Sequence, residues 1–177
     1  MGGPKRIAIL VEDLYQVLEV WYPFYRLREE GHDVVIIGTG TKKQYGSKEG
    51  YPVDVHFSID QVVATDFDAV VIPGGWAPDI MRRYEKMVMF VRDLYQKGKV
   101  VASICHGGWM LVSAGILKGK KATSFYAIKD DLIAAGAHFE DKEVVVDSNL
   151  ITSRKPDDLP RFTQEIIQQL KGPYVKS

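Results

Sequence analysis

The sequence predicts an α/β fold in which a mainly parallel sheet carries helices on both faces. Three observations lead there. Short apolar runs at 6–11, 33–37, 67–73 and 99–104 are fit for buried strands. Segments with helical apolar spacing lie between them, so strand and helix alternate along the chain. No internal repeat or linker interrupts the 177 residues, which argues for a single domain, 1–177, with its core at about 6–170.

The first strand is Arg6-Ile-Ala-Ile-Leu-Val11. Val17, Val20, Trp21, Phe24 and Leu27 then mark one face of a helix that stops at Gly31. A second buried strand follows at 33–37. The stretch 38–50, rich in Gly, Thr, Lys and Ser, reads as a surface loop. The alternating 53–57 reads as a small edge strand, after which Ser58 or Asp60 caps a short helix. The third strand runs into Pro73-Gly74-Gly75, where the chain must turn sharply, and a helix over 85–96 stops near Gly98. The fourth strand delivers Cys105-His-Gly-Gly-Trp109 directly into a helix ending near Gly115. Beyond it, 123–125 reads as a strand and 128–135 as a helix stopped by Gly136. Val144-Val-Val146 and Leu150-Ile-Thr152 form a hairpin turned by Asp147-Ser-Asn149. Leu159, Phe162, Ile166 and Leu170 define a last helix with Pro160 in its first turn, where a missing N–H costs little.

Composition narrows the function classes. The 46% apolar content supplies a core without disulfides or metal. Basic and acidic side chains balance at 23 each, and the nearest thing to a basic stripe, Lys118-Gly-Lys-Lys121, reads as a solvated turn. No nucleic-acid partner is expected, and near-zero charge favours self-association. One cysteine excludes an internal disulfide and zinc-type ligand spacing, so neither metal nor cofactor is expected. No apolar run approaches the roughly 18 residues of a membrane helix. The start, Met-Gly-Gly-Pro-Lys-Arg, lacks a signal-peptide core and the Ser/Thr of a myristoylation site, so the expected location is the cytoplasm. Gly38-Thr-Gly40 lacks the third glycine of a dinucleotide fingerprint.

Chemistry concentrates at Ser103-Ile-Cys-His-Gly107. A strand that turns at once into a helix forms an elbow that lifts one side chain clear of the sheet. Gly107 and Gly108 supply the small neighbours it needs, and the N-terminal end of the following helix favours thiolate at Cys105. Gly74 and Gly75 end the neighbouring strand without a Cβ, so the N–H groups of Gly75 and His106 are candidates for an oxyanion hole. Glu19 lies near the start of the first helix; facing Cys105, it would share one proton with the thiol. His106 is a candidate general acid or base. Side chains adjacent on an elbow do not naturally point at each other, so it would need an acidic orienter, for which Asp79 is the candidate. His32, His56 and His138 read as structural.

These residues resemble the ThiJ/PfpI family, in its PfpI-type intracellular protease branch. The likeness rests on Ala102-Ser-Ile-Cys-His-Gly107 and Val70-Val-Ile-Pro-Gly-Gly75, with Tyr22-Pro23, Arg26-Leu27, Glu30-Gly-His32 and Ser113-Ala-Gly-Ile-Leu117. Lys129-Asp-Asp131, Glu143-Val-Val-Val-Asp147, Thr152-Ser-Arg154 and Pro156 extend it to nearly the whole chain. The resemblance implies a flavodoxin-like three-layer α/β/α sandwich related to class I glutamine amidotransferases. It implies an elbow Cys105 hydrogen-bonded to Glu19, and dimers, often assembled into hexamers, in which a neighbouring subunit offers an acid, at the position of Asp79, to His106. The activities it implies are peptidase, glyoxalase, protein deglycation, and chaperone or oxidative-stress functions. Three departures bear on the pocket. Gln16 stands where relatives often carry an acid, Phe125 where Tyr or His is usual, and Gly108 where Pro is common, while Trp76 and Trp109 add bulk.

The function expected is therefore a cysteine-nucleophile enzyme acting on small carbonyl or acyl groups, with a small molecule or peptide as substrate. The alternative is a redox sensor or chaperone-like stress protein that uses oxidation of Cys105 instead of turnover.

Overall fold

The structure, a computed structural model, describes residues 3–172. Met1-Gly2, on which part of the leader and lipidation reading rests, lies outside them. The main elements run β1 (Arg6–Val11), α1 (Val17–Glu29), β2 (Asp33–Gly38), β3 (Gln44–Gly46), β4 (Pro52–Asp54), β5 (Phe57–Ser58), β6 (Ala69–Ile72), α2 (Ala77–Met81), α3 (Glu85–Gln96) and β7 (Val100–Ile104). They continue with α4 (Gly108–Ala114), β8 (Lys121–Ala122), α5 (Lys129–Ala134), β9 (His138–Phe139), β10 (Val144–Asp147), β11 (Leu150–Ser153) and α6 (Leu159–Leu170).

Seven strands form the central sheet in the order β10-β11-β7-β6-β1-β2-β5, parallel throughout except for β10, which returns antiparallel on β11. The inner strands β1, β6 and β7 are almost completely buried, as continuous apolar runs must be when helices cover both faces. Helices α1 and α6 pack together on one face, and α2 to α5 form the other layer. Strand order reverses between β1 and β6. In open α/β sheets the crevice beyond the carboxyl ends of such strands is where ligands bind.

Three local expectations are corrected. The stretch 38–50 is not a plain surface loop, because β3 pairs antiparallel with β4 and Thr39, Tyr45 and Ser47 are buried. The single edge strand at 53–57 is divided: β4 serves that hairpin, while β5 extends the main sheet alongside β2. The strand placed at 123–125 lies just before it, where β8 pairs with β9. In each case pairing with distant residues, which local periodicity does not encode, decided the outcome. Among the described residues no helix is long and apolar enough to cross a membrane.

Candidate active site

Four segments converge at the reversal point. Leu14 N donates to Gly46 O at 2.7 Å and Lys48 N to Tyr15 O at 2.9 Å. On the other side Gln16 N donates to Gly74 O at 3.2 Å and Trp76 N to Leu14 O at 2.8 Å. Segment 14–16 is thus laced between 46–48 and 74–76. Gly75 adopts φ 72, and a Cβ there would come within 2.6 Å of Gln16 N, so the lacing requires glycine.

Cys105 follows β7 directly, with φ 60. A left-handed non-glycine residue is strained by about 1–3 kcal/mol and persists only where its surroundings hold it. The turn places the side chain over Gly74, where an added Cβ would lie 2.9 Å from Cys105 Sγ and 2.8 Å from Glu19 Oε2. Gly74 is therefore the gap through which thiol and carboxyl approach each other.

Glu19 is fully buried near the start of α1. Its Oε2 accepts Gly74 N at 2.6 Å, while Oε1 has no partner. Burial raises its pKa to about 7, against the opposing Gly74 N–H and the carboxylate's interaction with Cys105. Burial, and next the Glu19 carboxylate, push the Cys105 thiol up to about 12, although the N–H groups of His106 and Gly75 both pull it down. The expected lowering of the thiol is thus corrected. Cys105–Gly107 forms a 3-10 turn and α4 has only 7 residues, so the helix end supplies too little field to offset burial. At pH 8 the pair holds one proton and one negative charge. Passing that proton from sulfur to Glu19 makes the thiolate.

His106 Nδ1 lies 3.3 Å from Cys105 Sγ, so the elbow does bring these neighbours together. Three aromatic rings orient the imidazole: Phe125 stacks on it at 5.0 Å, Trp109 meets it at 5.1 Å and Trp76 at 5.2 Å. Burial, then the Lys48 ammonium, lower its pKa, which keeps the ring neutral near pH 7. Asp79 does not orient His106 within the chain; its carboxylate pairs with Arg83 one helical turn on.

The remaining expected residues have definite places. Gln16 is the N-cap of α1, its Oε1 accepting Glu19 N at 2.9 Å, so this amide holds the backbone of the buried acid. Phe125 N donates to Cys105 O at 3.2 Å, and Trp76 stands 53% exposed at the rim. Sequence reasoning missed Lys48, the cation acting on both Glu19 and His106. It sits in the turn after β3, and nothing local signals that this turn folds back over α1. Among the described residues no group of three or more His, Cys, Asp or Glu is placed to hold a metal.

Comparison with known proteins places the whole of this fold in a family. A profile of the DJ-1/PfpI family matches residues 5–169. The deglycase PfpI of Pyrococcus furiosus is 45% identical over 166 residues, covering 94% of this chain and 99% of that protein. Protein/nucleic acid deglycase 2 of Escherichia coli is 42% identical over 168 residues, covering 94% and 98%. A crystal structure of a two-domain protein from Anabaena variabilis, with DJ-1/ThiJ/PfpI-like and ferritin-like domains, superposes with a TM-score of 0.92 at 42% identity. It covers 94% of this chain, which spans about half (48%) of that protein. The chain belongs to the DJ-1/PfpI family.

Proposed function

We propose that this chain is a cysteine-dependent glyoxalase or deglycase acting on reactive dicarbonyls and their early adducts. The observation that carries the reading is the convergence on one sulfur of a proton-sharing carboxyl, a neutral imidazole and two backbone N–H groups. The names of the deglycase relatives support it.

With a dicarbonyl R–CO–CHO, Sγ adds to the aldehyde carbon. The S–C bond forms and the C=O pair moves onto oxygen, held by the N–H groups of Gly75 and His106. The thiol proton passes through Glu19 to that oxygen, giving a hemithioacetal. His106 Nδ1 takes the proton from the carbon bonded to sulfur and returns it to the adjacent carbonyl carbon through an enediol, while the hydroxyl proton of the first carbon passes to the neighbouring oxygen. The first carbon becomes a thioester and its neighbour a carbinol, one oxidised as the other is reduced. Water cleaves the thioester to a 2-hydroxy acid and regenerates the thiol. An amine or thiol adduct enters by exchanging that group for Sγ at the same carbon. Gln16 takes no part in proton transfer, because an amide is neither an acid nor a base near neutral pH.

The test is formation of lactate from methylglyoxal, and from its adduct with N-acetylcysteine, followed by NMR. The wild-type protein forms lactate, Cys105→Ala forms none, and Glu19→Gln slows the reaction by about 100-fold or more. Equal rates for wild type and Cys105→Ala would sink the reading.

A further inference from the structure

The fold brings to the Cys105 site a lysine that the reaction above does not use. Lys48 lies in the turn after β3, and buried Ser47 closes that turn. Ser47 N donates to Tyr51 O at 2.8 Å, and Ser47 O accepts Gly50 N at 2.9 Å. Its Oγ accepts Tyr51 N at 2.9 Å and Glu49 N at 3.1 Å. Lys48 N then donates to Tyr15 O at 2.9 Å, and the next residue along, Gln16, donates through its N–H to Gly74 O at 3.2 Å. Lys48 is therefore held one chain segment away from the glycine over which thiol and carboxyl meet.

Its charge reaches the reacting groups and is not matched elsewhere. Burial sets the direction of the pKa shift at both His106 and Glu19, and the Lys48 ammonium is the cation that acts on each of them as well. Among the described residues Lys48 Nζ makes no hydrogen bond, and its one ion pair is with its neighbour Glu49 at 3.6 Å. An exposed pair of that length contributes little, and the other Glu49 oxygen accepts Val17 N at 3.2 Å, at the start of α1. The arginines nearest the imidazole are engaged. Arg82 Nε donates to Ser113 Oγ at 2.9 Å, and its guanidinium lies over the ring of Trp109 at 5.7 Å, while Arg83 pairs with Asp79. The rings of Trp76, Trp109 and Phe125 around His106 carry no charge. An anionic group on a bound molecule thus finds at Lys48 an ammonium whose donors are free.

We propose that Lys48 is a specificity-determining residue that receives a carboxylate carried by the substrate, so that α-oxoaldehydes with an acidic tail are processed in preference to neutral ones. The proposal rests on the carbonyl chemistry assigned to Cys105. The tail takes no part in bond changes. With 4,5-dioxovalerate the aldehyde and ketone undergo the rearrangement, the carboxylate stays intact, and the product is 2-hydroxyglutarate.

The test measures kcat/KM for 4,5-dioxovalerate and for its methyl ester, which share the reacting end and differ in the charge of the tail. The proteins compared are the wild type, Lys48→Met and Lys48→Arg. Lys48 is exposed, so neither substitution disturbs the core, and circular dichroism checks both. In the wild type the ratio favours the free acid by about tenfold or more, the return of one charge-assisted hydrogen bond. Lys48→Met brings the ratio to about one, while Lys48→Arg, which keeps the charge, retains a preference for the acid. Any effect of the missing charge on Glu19 and His106 falls on both substrates alike and cancels in the ratio. A wild-type ratio near one, or a preference that Lys48→Met leaves unchanged, overturns the recognition while leaving the proposed reaction intact. Absence of Cys105-dependent turnover with either compound overturns the reaction and the recognition together.

Discussion

Glu12 and Glu19 are both buried carboxyl groups near the carboxyl end of β1, and the fold treats them in opposite ways. Glu12 is fully partnered. Its Oε1 accepts Asp13 N at 2.9 Å, and its Oε2 accepts the hydroxyls of Thr39 and Thr41. Tyr45 OH closes the network on Thr39 at 3.1 Å. Glu19 has a single donor, Gly74 N, and an unpartnered oxygen in the site of Cys105. The difference separates an acid tied into the fold from one left open beside Cys105. A carboxyl surrounded by donors fastens the chain after β2 to the end of β1. One stripped of donors keeps an affinity for a proton, and it can hand that proton on.

Gly74→Ala probes the surroundings of Glu19 most severely. The new Cβ would stand 2.7 Å from Cys105 Cβ and 2.8 Å from Glu19 Oε2. We expect a loss of about 3 kcal/mol in urea unfolding, because the core there has no room to yield, together with loss of iodoacetamide labelling at Cys105. Unchanged labelling would show that carboxyl and thiol do not depend on the gap.

Glu19→Gln has the next largest effect, and its sign depends on pH. The folded-state pKa of Glu19 is raised from 4.5 to about 7, so across that window the folded protein holds a proton that the unfolded chain releases. Stability falls as pH rises through the window and stays lower above it, by up to about 3 kcal/mol. Glutamine retains an acceptor for Gly74 N and removes the titration. The variant is then more stable than wild type at pH 8 and shows less change between pH 5 and pH 8 in urea unfolding. A parallel pH dependence in both proteins would refute the assignment. Glu12→Gln has the smallest effect. It replaces one accepting oxygen of the network by an amide NH2 but keeps the shape, so a cost of about 1 kcal/mol is expected in the same measurement, with turnover maintained.

Much of the frame was legible along the chain. Residues 6–11, 85–96 and 159–170 carry patterns whose periods match their elements, and β1, α3 and α6 fall there. The hairpin of β10 and β11 turns where Asp147-Ser-Asn149 indicated, with Ser148 at φ 58. The elbow was legible because an apolar run ending in Cys-His-Gly-Gly is a local signature. The fold-back of β3 onto β4 was hidden, because Gly, Thr and Lys favour turns and only burial of Tyr45 and Thr39 makes them part of a wall. The aromatic surround of His106 was equally hidden, since Trp76, Trp109 and Phe125 come from three separate segments.

The sequence by itself determined the order of the main sheet's inner strands and their helices, the position of Cys105 at the end of a buried strand, and the glycines that leave space beside it. These follow from periodicity and backbone freedom, which are properties of neighbouring residues. Only the tertiary structure decided that Glu19 faces the sulfur, that His106 reaches it, and that the thiol is raised instead of lowered. A pKa is set by burial and by charges brought close through space, and both arise from segments far apart in the chain.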